Sequence, residues 1–396
     1  VSRRIYNIKI KDLSTGKLLE DTLKGTNGSV VWANDNKTLY YIKKDLQTLL
    51  GYQVYRHTLG TPQAEDELVY EETDTSYYMG ISKSKDDSEI YIWHSSTAAS
   101  GVSVLSADDT KAMPKRLIER EAGLEYEISK LGNTYYIVTN LDAVNFQLMK
   151  VDIDKAGDKA NWQSVIPARD DIKLEGIDLF NDYLVYQERE MGQSKLIARD
   201  LKTGKELPLS FNDSAYTIGT YGNNDIDSST LRVYYTSMTT PGSSYDVDLA
   251  TGDKKLLKQQ AVLGDFDADN YASERIFVTA RDGIKVPVSL VYRKDAFKKD
   301  EIENAFDLEL KRFLNLISEE DIPSNYTTFY NSYSKNEQVT NKKIKFNNKI
   351  LHQSKLVNYF NGDYAKSQIE QDLDKFLKKI KKDKKYFLSK KDIIFL

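Results

Sequence analysis

The amino-acid sequence predicts a mainly β protein: a β-propeller of about six strand units, then a β-hairpin, then a small α-helical C-terminal module. Three observations support this fold class. A strand–turn–strand pattern repeats along the chain, tyrosine is abundant at 27 residues, and the strand pattern ends near residue 295. Tyrosine suits half-buried strands together with valine, isoleucine and threonine, so its abundance indicates a large β structure.

The repeated pattern is an apolar strand that runs into a turn and a second strand. It recurs at a spacing of roughly 43–50 residues, the period typical of four-stranded propeller blades. A β-sandwich also supplies many strands, but not this long and regular period. The six copies of the pattern begin at Tyr6, Tyr52, Val102, Phe146, Lys195 and Tyr245.

Further strands are predicted between these copies, and the period-two patterning predicts no helix longer than two turns before residue 295. These strands are 30–32, 38–42, 89–93, 135–139, 183–187 and 232–236. The sequence Asp-Leu-x-Thr-Gly recurs at Asp12, Asp200 and Asp248. Because glycine supplies a positive φ and aspartate or threonine bonds the backbone, this motif predicts hairpin turns and not a ligand site.

The stretch 271–294 predicts a β-hairpin. Apolar residues alternate with outward Phe277 and Thr279, an Asp-Gly pair stands at 282–283, and a second apolar-rich run covers 286–292. Two such runs around Asp-Gly are a strong hairpin signal. An isolated pair of strands cannot bury itself in water, so we expect this hairpin to open a larger sheet.

Past residue 295 the pattern changes to helix. Apolar residues at three- and four-residue spacing predict an amphipathic helix over 301–317, and two more helices are predicted from 349 and 367. The apolar stripe of the first consists of Ile302, Phe306, Leu310, Phe313, Leu314 and Ile317. From Ala296 onward the net charge is roughly +5, against about −9 upstream. The Lys-rich run 378–385 is best explained as a solvated helix face, so we expect no nucleic-acid partner.

Residues able to carry nucleophilic catalysis are scarce. The three histidines are His57, His94 and His352. The first two fall in predicted strands and the third on a predicted helix, so we expect a structural or surface role for each. Ser103, Ser194 and Ser244 match only the first half of Gly-x-Ser-x-Gly, and each precedes a strand rather than a helix. We therefore reject all of them as nucleophiles.

The sequence also predicts no metal and no cofactor. Cysteine is absent (Cys 0), which excludes disulfides and thiolate metal sites and favours a reducing compartment. No His, Asp or Glu cluster has ligand spacing, and neither a dinucleotide-binding nor a phosphate-binding glycine motif occurs. No apolar run approaches the ~18 residues of a membrane span. Position 1 is Val rather than Met, which predicts a start inside a longer natural chain.

Several long phrases resemble the oligopeptidase B group of the prolyl oligopeptidase family. They are VVWANDNKTLYYIKKD from 30, YQVYRHTLGT from 52, EDELVYEE from 65, IPARDDIKLEGIDLF from 166, LRVYYTSMTTPGSSYDVDLATGDKKLLKQQAVLG from 231 and YASERIFVTARDGIKVPVSLVYRKD from 271. The resemblance covers about residues 1–295. It implies a seven-bladed propeller that caps an α/β-hydrolase domain, in a cytoplasmic serine peptidase that cuts peptides after Arg or Lys.

The resemblance also sets the predicted domains. In that family the catalytic serine, aspartate and histidine and the basic-residue pocket lie downstream of the hairpin, where this chain has the helical module. Neither a catalytic residue nor the pocket is therefore carried over. We divide the chain into an N-terminally incomplete propeller (1–265), the first hairpin of an α/β-hydrolase domain (266–295), and a Lys/Asn-rich helical module or foreign extension (296–396).

Two functions remain open at this stage. The first is a truncated or chimeric oligopeptidase-B-like protein, with peptides as its partner class and no activity of its own. The alternative is a non-enzymatic propeller that presents its loops to a peptide or protein. The tail also has a third explanation, an assembly or frameshift scar without a selected role. Unpaired sheet edges at the hairpin and at the propeller gap predict self-association.

Overall fold

The computed structural model describes residues 4–280 and 283–296. In these ranges the regular structure is almost entirely antiparallel β-sheet, and the helical segments are 3-10 turns of three residues each. These turns are Gln63–Glu65, Ile153–Lys155, Lys159–Asn161 and Ala268–Asn270. The prediction that no helix longer than two turns precedes residue 295 is therefore confirmed for the described ranges.

The strands follow one another in chain order within each sheet. The first sheet contains β1 (Tyr6–Lys11), β2 (Leu18–Trp32), β3 (Thr38–Lys44), β4 (Gly51–Thr58) and β5 (Glu67–Glu71). The second contains β6 (Tyr78–Lys83), β7 (Glu89–Ser95), β8 (Ser100–Ser106) and β9 (Lys115–Arg116). The third contains β10 (Tyr126–Leu131), β11 (Thr134–Thr139), β12 (Gln147–Asp152) and β13 (Gln163–Ile166).

Two more four-stranded sheets and a hairpin complete the described fold. The fourth sheet contains β14 (Ile172–Leu179), β15 (Tyr183–Glu190), β16 (Gln193–Asp200) and β17 (Glu206–Pro208). The fifth contains β18 (Tyr216–Thr220), β19 (Thr230–Ser237), β20 (Ser243–Asp248) and β21 (Lys254–Gln259). The hairpin contains β22 (Tyr271–Thr279) and β23 (Lys285–Arg293).

The copies of the repeated pattern occupy equivalent strands. From the second copy onward, each one forms the last two strands of its sheet: β4–β5, β8–β9, β12–β13, β16–β17 and β20–β21. The first copy forms β1 and the beginning of β2. A meander of four antiparallel strands repeated at this period is the architecture of a propeller blade, so the predicted fold class is confirmed.

Strand β2 explains why six copies of the pattern yield five large sheets. Its first part pairs with β1 up to the contact of Tyr6 with Thr26, and its last part pairs with β3 from Thr26 to Trp32. The pairing with β3 shifts register between Thr26 and Val30. The long strand thus joins the outer strand pair of one blade to the first strand of the next blade.

Most of the hydrophobic core lies between neighbouring sheets. On β3, Tyr40 and Ile42 pack toward the second sheet in a cluster with Ile90, whereas Leu39 and Tyr41 pack in a separate cluster toward β1. Both faces of this strand are buried, which explains its nearly continuous apolar sequence. Similar clusters fill the spaces between the second and third sheets and between the third and fourth sheets.

The Asp-Leu-x-Thr-Gly motif forms the predicted hairpin turns. In the turn at Asp200, Oδ1 accepts hydrogen bonds from the backbone N–H groups two and three residues further on, at 2.8 Å each. Gly204 closes this turn with a φ of 73°, a conformation that glycine adopts at little cost. The turns at Asp12 and Asp248 have the same hydrogen bonds.

The chain divides into two compact units. The first comprises residues 4–210, 218–234 and 245–256, and the second comprises the described parts of 211–217, 235–244 and 257–296. The hairpin belongs to the second unit, and its strands pair without a shift from Tyr271 with Arg293 to Thr279 with Lys285. The predicted hairpin is confirmed, while the predicted helices from 301, 349 and 367 lie outside the described residues. The predicted domain boundaries stay a prediction.

Candidate functional site

His57 lies between two carboxylates in the interior of the first unit. Its Nδ1 is 2.6 Å from Oδ1 of Asp66 and its Nε2 is 3.1 Å from Oδ1 of Asp21. The side chains of His57, Asp21 and Asp66 are 0%, 5% and 0% exposed. Because Asp21 belongs to β2, His57 to β4 and Asp66 precedes β5, the three side chains connect separate strands of the first sheet.

The other atoms around His57 complete a closed hydrogen-bond network. Asp21 also accepts a hydrogen bond from the N–H of Gly60 at 2.7 Å, and Asp66 accepts one from the hydroxyl of Tyr41 at 2.8 Å. Burial raises the pKa of Asp21, but the hydrogen bonds from Gly60 and His57 outweigh it and hold this pKa below its usual value. Both ring nitrogens of His57 thus face buried aspartates, which indicates a structural role for a residue to which the sequence assigns a structural or surface role.

His94 lies beside a serine that sequence reasoning rejects as a nucleophile. His94 is in β7 and Ser103 is in β8, and Nε2 of His94 is 3.3 Å from Oγ of Ser103. Nδ1 of the same ring is 3.1 Å from Oε2 of Glu72, which follows β5. A serine, a histidine and an acid therefore lie in the order that acyl-transfer enzymes use.

This group differs from a catalytic triad at the acid. In a triad the acid accepts a hydrogen bond from Nδ1 and so fixes the orientation of the imidazole. Here Nδ1 of His94 lies 3.1 Å from Oε2 of Glu72. The two oxygens of Glu72 also accept hydrogen bonds from Arg120, at 2.8 Å and 3.2 Å. The acid of this group is thus shared between the imidazole and a guanidinium.

Burial and charge set the protonation states in this group. Burial lowers the pKa of His94 to about 4, although the nearby Glu72 carboxylate opposes this effect. Burial also raises the pKa of Glu72, but hydrogen bonds from Arg120 and the N–H of Asp74 hold it below its usual value. Ser103 and His94 are each 1% exposed and Glu72 is 6% exposed. A substrate carbonyl therefore cannot approach Oγ of Ser103 in this structure.

The group joins the end of the first sheet to the second sheet. The Arg120 guanidinium lies over the ring of Tyr77, 4.0 Å from its centroid, while it binds Glu72. Gly101 in β8 leaves room for this arginine, because a Cβ at that position would lie 2.9 Å from Cγ of Arg120. We call Glu72, His94, Ser103 and Arg120 the buried His94 cluster.

A second charged cluster lies where the first strands of three sheets come together. Nζ of Lys85, just after β6, is 2.7 Å from Oδ1 of Asp178 in β14. Nζ of Lys130 in β10 is 3.1 Å from Oδ2 of Asp86 and 3.9 Å from Oε1 of Glu89. These side chains are between 11% and 21% exposed, so this inner-strand cluster is more accessible than the buried His94 cluster.

The remaining serine candidates occupy ordinary strand positions. Ser194 is buried in β16, and its hydroxyl donates a hydrogen bond to Glu175 at 3.3 Å. Ser244 is half-buried in β20. Neither stands on a strand-to-helix turn of the kind that exposes a nucleophilic serine. His352 and the Lys-rich run 378–385 lie outside the described residues.

The second unit contains a polar cluster around Asp213. Its carboxylate accepts hydrogen bonds from the hydroxyls of Tyr235 at 2.5 Å, Thr240 at 2.8 Å and Thr239 at 3.1 Å. Burial raises the pKa of Asp213, but these donors hold it below its usual value. Phe211 stacks on Tyr235 with the ring centroids 4.3 Å apart. The carboxylate is saturated by local donors, which indicates a structural role.

We find no candidate metal site in the part of the chain that the structure describes. No group of three or more His, Cys, Asp or Glu side chains there is placed to hold a metal ion. Likewise, none of the helices in the described ranges has the length and apolar character needed to cross a membrane.

Comparison with known proteins gives one family and a consistent set of relatives. Residues 1–260 match the family described as the N-terminal β-propeller domain of prolyl oligopeptidase. Dipeptidyl aminopeptidase BI from Pseudoxanthomonas mexicana is 41% identical over 296 residues, which cover 74% of this chain and 40% of the relative. Protease 2 from Moraxella lacunata is 29% identical over 294 residues, which cover 74% of this chain and 42% of the relative.

Solved structures show the same similarity. Oligopeptidase B from Leishmania major superposes with a TM-score of 0.67 at 28% identity, over 75% of this chain and 43% of that structure. Oligopeptidase B from Trypanosoma brucei, with covalently bound antipain in a closed form, gives 0.64 at 30% identity, over 71% and 41%. The chain thus spans about two fifths of the length of the curated relatives it matches.

Proposed function

Because this chain belongs to the prolyl oligopeptidase N-terminal β-propeller family, we propose that it engages peptides as the propeller part of an oligopeptidase-B-like serine peptidase and does not cleave them by itself. The names of its relatives support peptides as the partner class, since they are a dipeptidyl aminopeptidase, a protease and oligopeptidases. The absence of cysteine supports a cytoplasmic location.

One observation carries the proposal that the chain is inactive alone. Of the two histidines in the described residues, His57 contacts two aspartates, and His94 contacts the serine Ser103. That serine and the histidine beside it are each 1% exposed. Nucleophilic attack requires a serine that the substrate can reach, so this pair does not supply the chemistry.

The test combines hydrolysis with covalent labelling of the full chain. We expect background rates on Arg and Lys ester and amide substrates, and no stoichiometric reaction with a fluorophosphonate. The Ser103→Ala variant is the matched control. Labelling of the unmodified chain that disappears in this variant would mean that the His94 cluster opens and reacts. Labelling that persists would place a nucleophile elsewhere in the chain, and either result overturns the proposal of inactivity.

A binding experiment tests the peptide role separately. We expect saturable binding of a fluorescent Arg-containing peptide, and similar binding of the same peptide with Arg replaced by norleucine, because the resemblance places the basic-residue pocket downstream of the hairpin. Much weaker binding of the norleucine peptide would contradict that placement and would mean that the propeller itself recognises the basic side chain. The absence of saturable binding by either peptide up to millimolar concentration would contradict the peptide role.

A further inference from the structure

The long strand β2 contains a bulge at residues 27–29. Its ladder with β1 ends where Thr26 lies opposite Tyr6, and its ladder with β3 shifts register between Thr26 and Val30. Residues 27–29 belong to neither ladder. A β-bulge leaves its extra residues unpaired and disrupts the ladder locally. We call Asn27, Gly28 and Ser29 the β2 bulge.

The β2 bulge holds an Asn-Gly pair. Gly28 has a φ of 92°, and a Cβ at this position would lie 3.3 Å from Cδ2 of Tyr6. The positive φ and the close approach of the tyrosine both favour glycine here. Because glycine has no side chain, its backbone nitrogen is less shielded than that of any other residue. Asn27 is half-buried and Gly28 is exposed, so water reaches the pair.

Two hydrogen bonds set the geometry of the bulge. Oδ1 of Asn27 accepts a hydrogen bond from the N–H of Ser29 at 2.9 Å, which forms an Asx-turn beside the peptide bond to Gly28. A donor on this oxygen also stabilises the negative charge that develops there when Cγ is attacked. The N–H of Gly28 donates to Oγ1 of Thr26 at 3.2 Å, at the long end of the usual range. The nitrogen of Gly28 is therefore held by a long side-chain hydrogen bond and not by a strand partner.

We propose that Asn27 is a self-modification site, at which the folded chain undergoes deamidation through a succinimide formed with Gly28. The backbone nitrogen of Gly28 attacks Cγ of Asn27, and the proton of this nitrogen passes to water. The bond from Cγ to Nδ2 then breaks, and Nδ2 leaves as ammonia with a proton from water. A water molecule next adds to either ring carbonyl and opens the ring. The reaction consumes one water and releases one ammonia.

The two possible products change the chain where β2 passes from one ladder to the next. Attack of water on one carbonyl leaves aspartate at position 27, and attack on the other leaves isoaspartate, in which the main chain runs through Cγ. Either product adds a negative charge, and isoaspartate also lengthens the main chain. The modification thus alters charge and chain path at the crossing between two blades.

Peptide mapping of the full natural chain tests the site. The chain is incubated at mildly alkaline pH in two parallel samples, one folded and one unfolded in urea, and is then digested with trypsin. Residues 25–37 are released as one peptide, because Lys24 and Lys37 are the flanking cleavage sites. Mass spectrometry follows the gain of about 1 Da that accompanies conversion of the amide to an acid. We expect the rate at Asn27 in the folded chain to be no more than fivefold below the rate in the unfolded chain.

The same peptide contains matched controls. Asn34 and Asn36 are asparagines that no glycine follows. We expect Asn27 to react at least tenfold faster than either of them in the folded chain. The Asn27→Gln variant keeps a side-chain amide on a longer side chain and should show no reaction at this position over the same time. Tryptophan fluorescence checks that the variant folds, since Trp32 lies in the same strand.

Three outcomes contradict the proposal. The first is a folded rate more than fivefold below the unfolded rate, which would mean that the bulge keeps Cγ of Asn27 away from Gly28. The second is a rate at Asn27 that exceeds the rate at Asn34 or Asn36 by less than tenfold. The third is a product that electron-transfer fragmentation identifies as aspartate alone, because direct hydrolysis by water forms no isoaspartate. None of these results bears on peptide binding or peptide hydrolysis, so the proposal stands or fails separately from the proposed function.

Discussion

Lys85 and Asp178 are 93 positions apart in the sequence, yet Nζ of the lysine lies 2.7 Å from Oδ1 of the aspartate. Their side chains are 17% and 16% exposed, and Nζ also lies 3.5 Å from the centroid of the Phe180 ring. Burial lowers the pKa of Lys85 and raises the pKa of Asp178, while their mutual contact opposes both shifts. The pair therefore connects the second sheet to the fourth, and each group offsets part of the cost of burying the other.

Replacing the lysine by an apolar residue should destabilise the first unit. In Lys85→Met, Asp178 keeps its poorly solvated position and loses its cation. Loss of one member of a fully buried pair costs about 3–5 kcal/mol, and partial exposure here reduces our expectation to about 2 kcal/mol. The measurement is the free energy of unfolding from urea titration at pH 7.

The matched control is the exposed ion pair of Lys202 with Asp182. Nζ of Lys202 lies 2.6 Å from Oδ1 of Asp182, but these side chains are 74% and 56% exposed. Exposed ion pairs are screened by water, so Lys202→Met should leave the unfolding midpoint unchanged within error. Equal effects of Lys85→Met and Lys202→Met would show that burial of the Lys85–Asp178 pair is unimportant.

The buried His94 cluster predicts a specific pH dependence of stability. Burial lowers the pKa of His94 from 6.5 to about 4. Between these values the unfolded chain binds a proton at this residue and the folded chain does not. The contribution of neutral His94 is therefore complete above about pH 6.5 and is lost as the pH falls toward 4, with a slope of up to about 1.4 kcal/mol per pH unit.

The His94→Gln variant isolates this contribution. Its free energy of unfolding should fall less steeply than that of the natural chain between pH 6.5 and pH 4.5, whatever its stability at pH 7. The charged groups that act on His94 are Glu72, Arg120 and Arg116, and all of them remain in the variant. Identical slopes for the two proteins would mean that His94 is already protonated in the folded state.

The elements that the sequence predicts correctly are those set by local rules. The spacing of the repeated strand–turn–strand pattern predicts the last two strands of each sheet, because every sheet repeats the same local sequence pattern. The turns at Asp12, Asp200 and Asp248 followed from the conformational freedom of glycine and the side-chain acceptor of aspartate. The hairpin β22–β23 followed from its Asp-Gly pair and its alternating residues.

The contacts that the sequence did not reveal depend on the packing of separate sheets. Glu72 and Arg120 lie 48 positions apart and meet only because the first sheet packs beside the second. His94 and Ser103 meet across neighbouring strands, and no short spacing marks such a pair. Lys85 and Asp178 come from sheets that are not consecutive. The Gly-x-Ser pattern carries no information about the histidine that lies beside Ser103.

Gly101 predicts a steric effect on the buried His94 cluster. A Cβ at this position would lie 2.9 Å from Cγ and 3.1 Å from Cδ of Arg120. Gly101→Ala should therefore displace Arg120 and weaken its two hydrogen bonds to Glu72, at a cost of about 1–2 kcal/mol in the free energy of unfolding. Chemical denaturation of the variant measures this cost.

Gly80 in β6 of the same sheet supplies the comparison. A Cβ there would meet its nearest neighbour, Cβ of Trp93, at 3.9 Å, which is an ordinary contact. Gly80→Ala should leave stability unchanged or raise it slightly, because alanine restricts the unfolded chain. If both alanine variants behave alike, the space that Gly101 leaves for Arg120 has no energetic consequence.

The turn at Asp45 repeats the hydrogen bonds of the Asp200 turn with a leucine in place of the glycine. Oδ1 of Asp45 accepts hydrogen bonds from the N–H groups two and three residues further on, at 2.9 Å and 2.6 Å. The N–H of Leu49 donates to the carbonyl of Asp45 at 3.0 Å, as Gly204 does to Asp200 at 2.8 Å. Leu49 has a φ of 62°, a conformation that costs a residue with a Cβ roughly 1–2 kcal/mol.

This strain predicts that glycine is more stable than alanine at position 49, which reverses the usual order. At most strand and helix positions glycine is less stable than alanine by roughly 0.5–1 kcal/mol, because it loses more conformational freedom. At position 49 the positive φ reverses the preference, so Leu49→Gly should be more stable than Leu49→Ala by up to about 1 kcal/mol. Both variants lose the leucine side chain, so their difference reports the backbone alone. Gly204→Ala should cost a similar amount, because Gly204 has a φ of 73°. A Cβ there meets nothing within 4 Å, so the cost comes from the backbone conformation alone. Thermal or urea unfolding that ranks Leu49→Ala above Leu49→Gly would show that the Asp45 turn is unstrained.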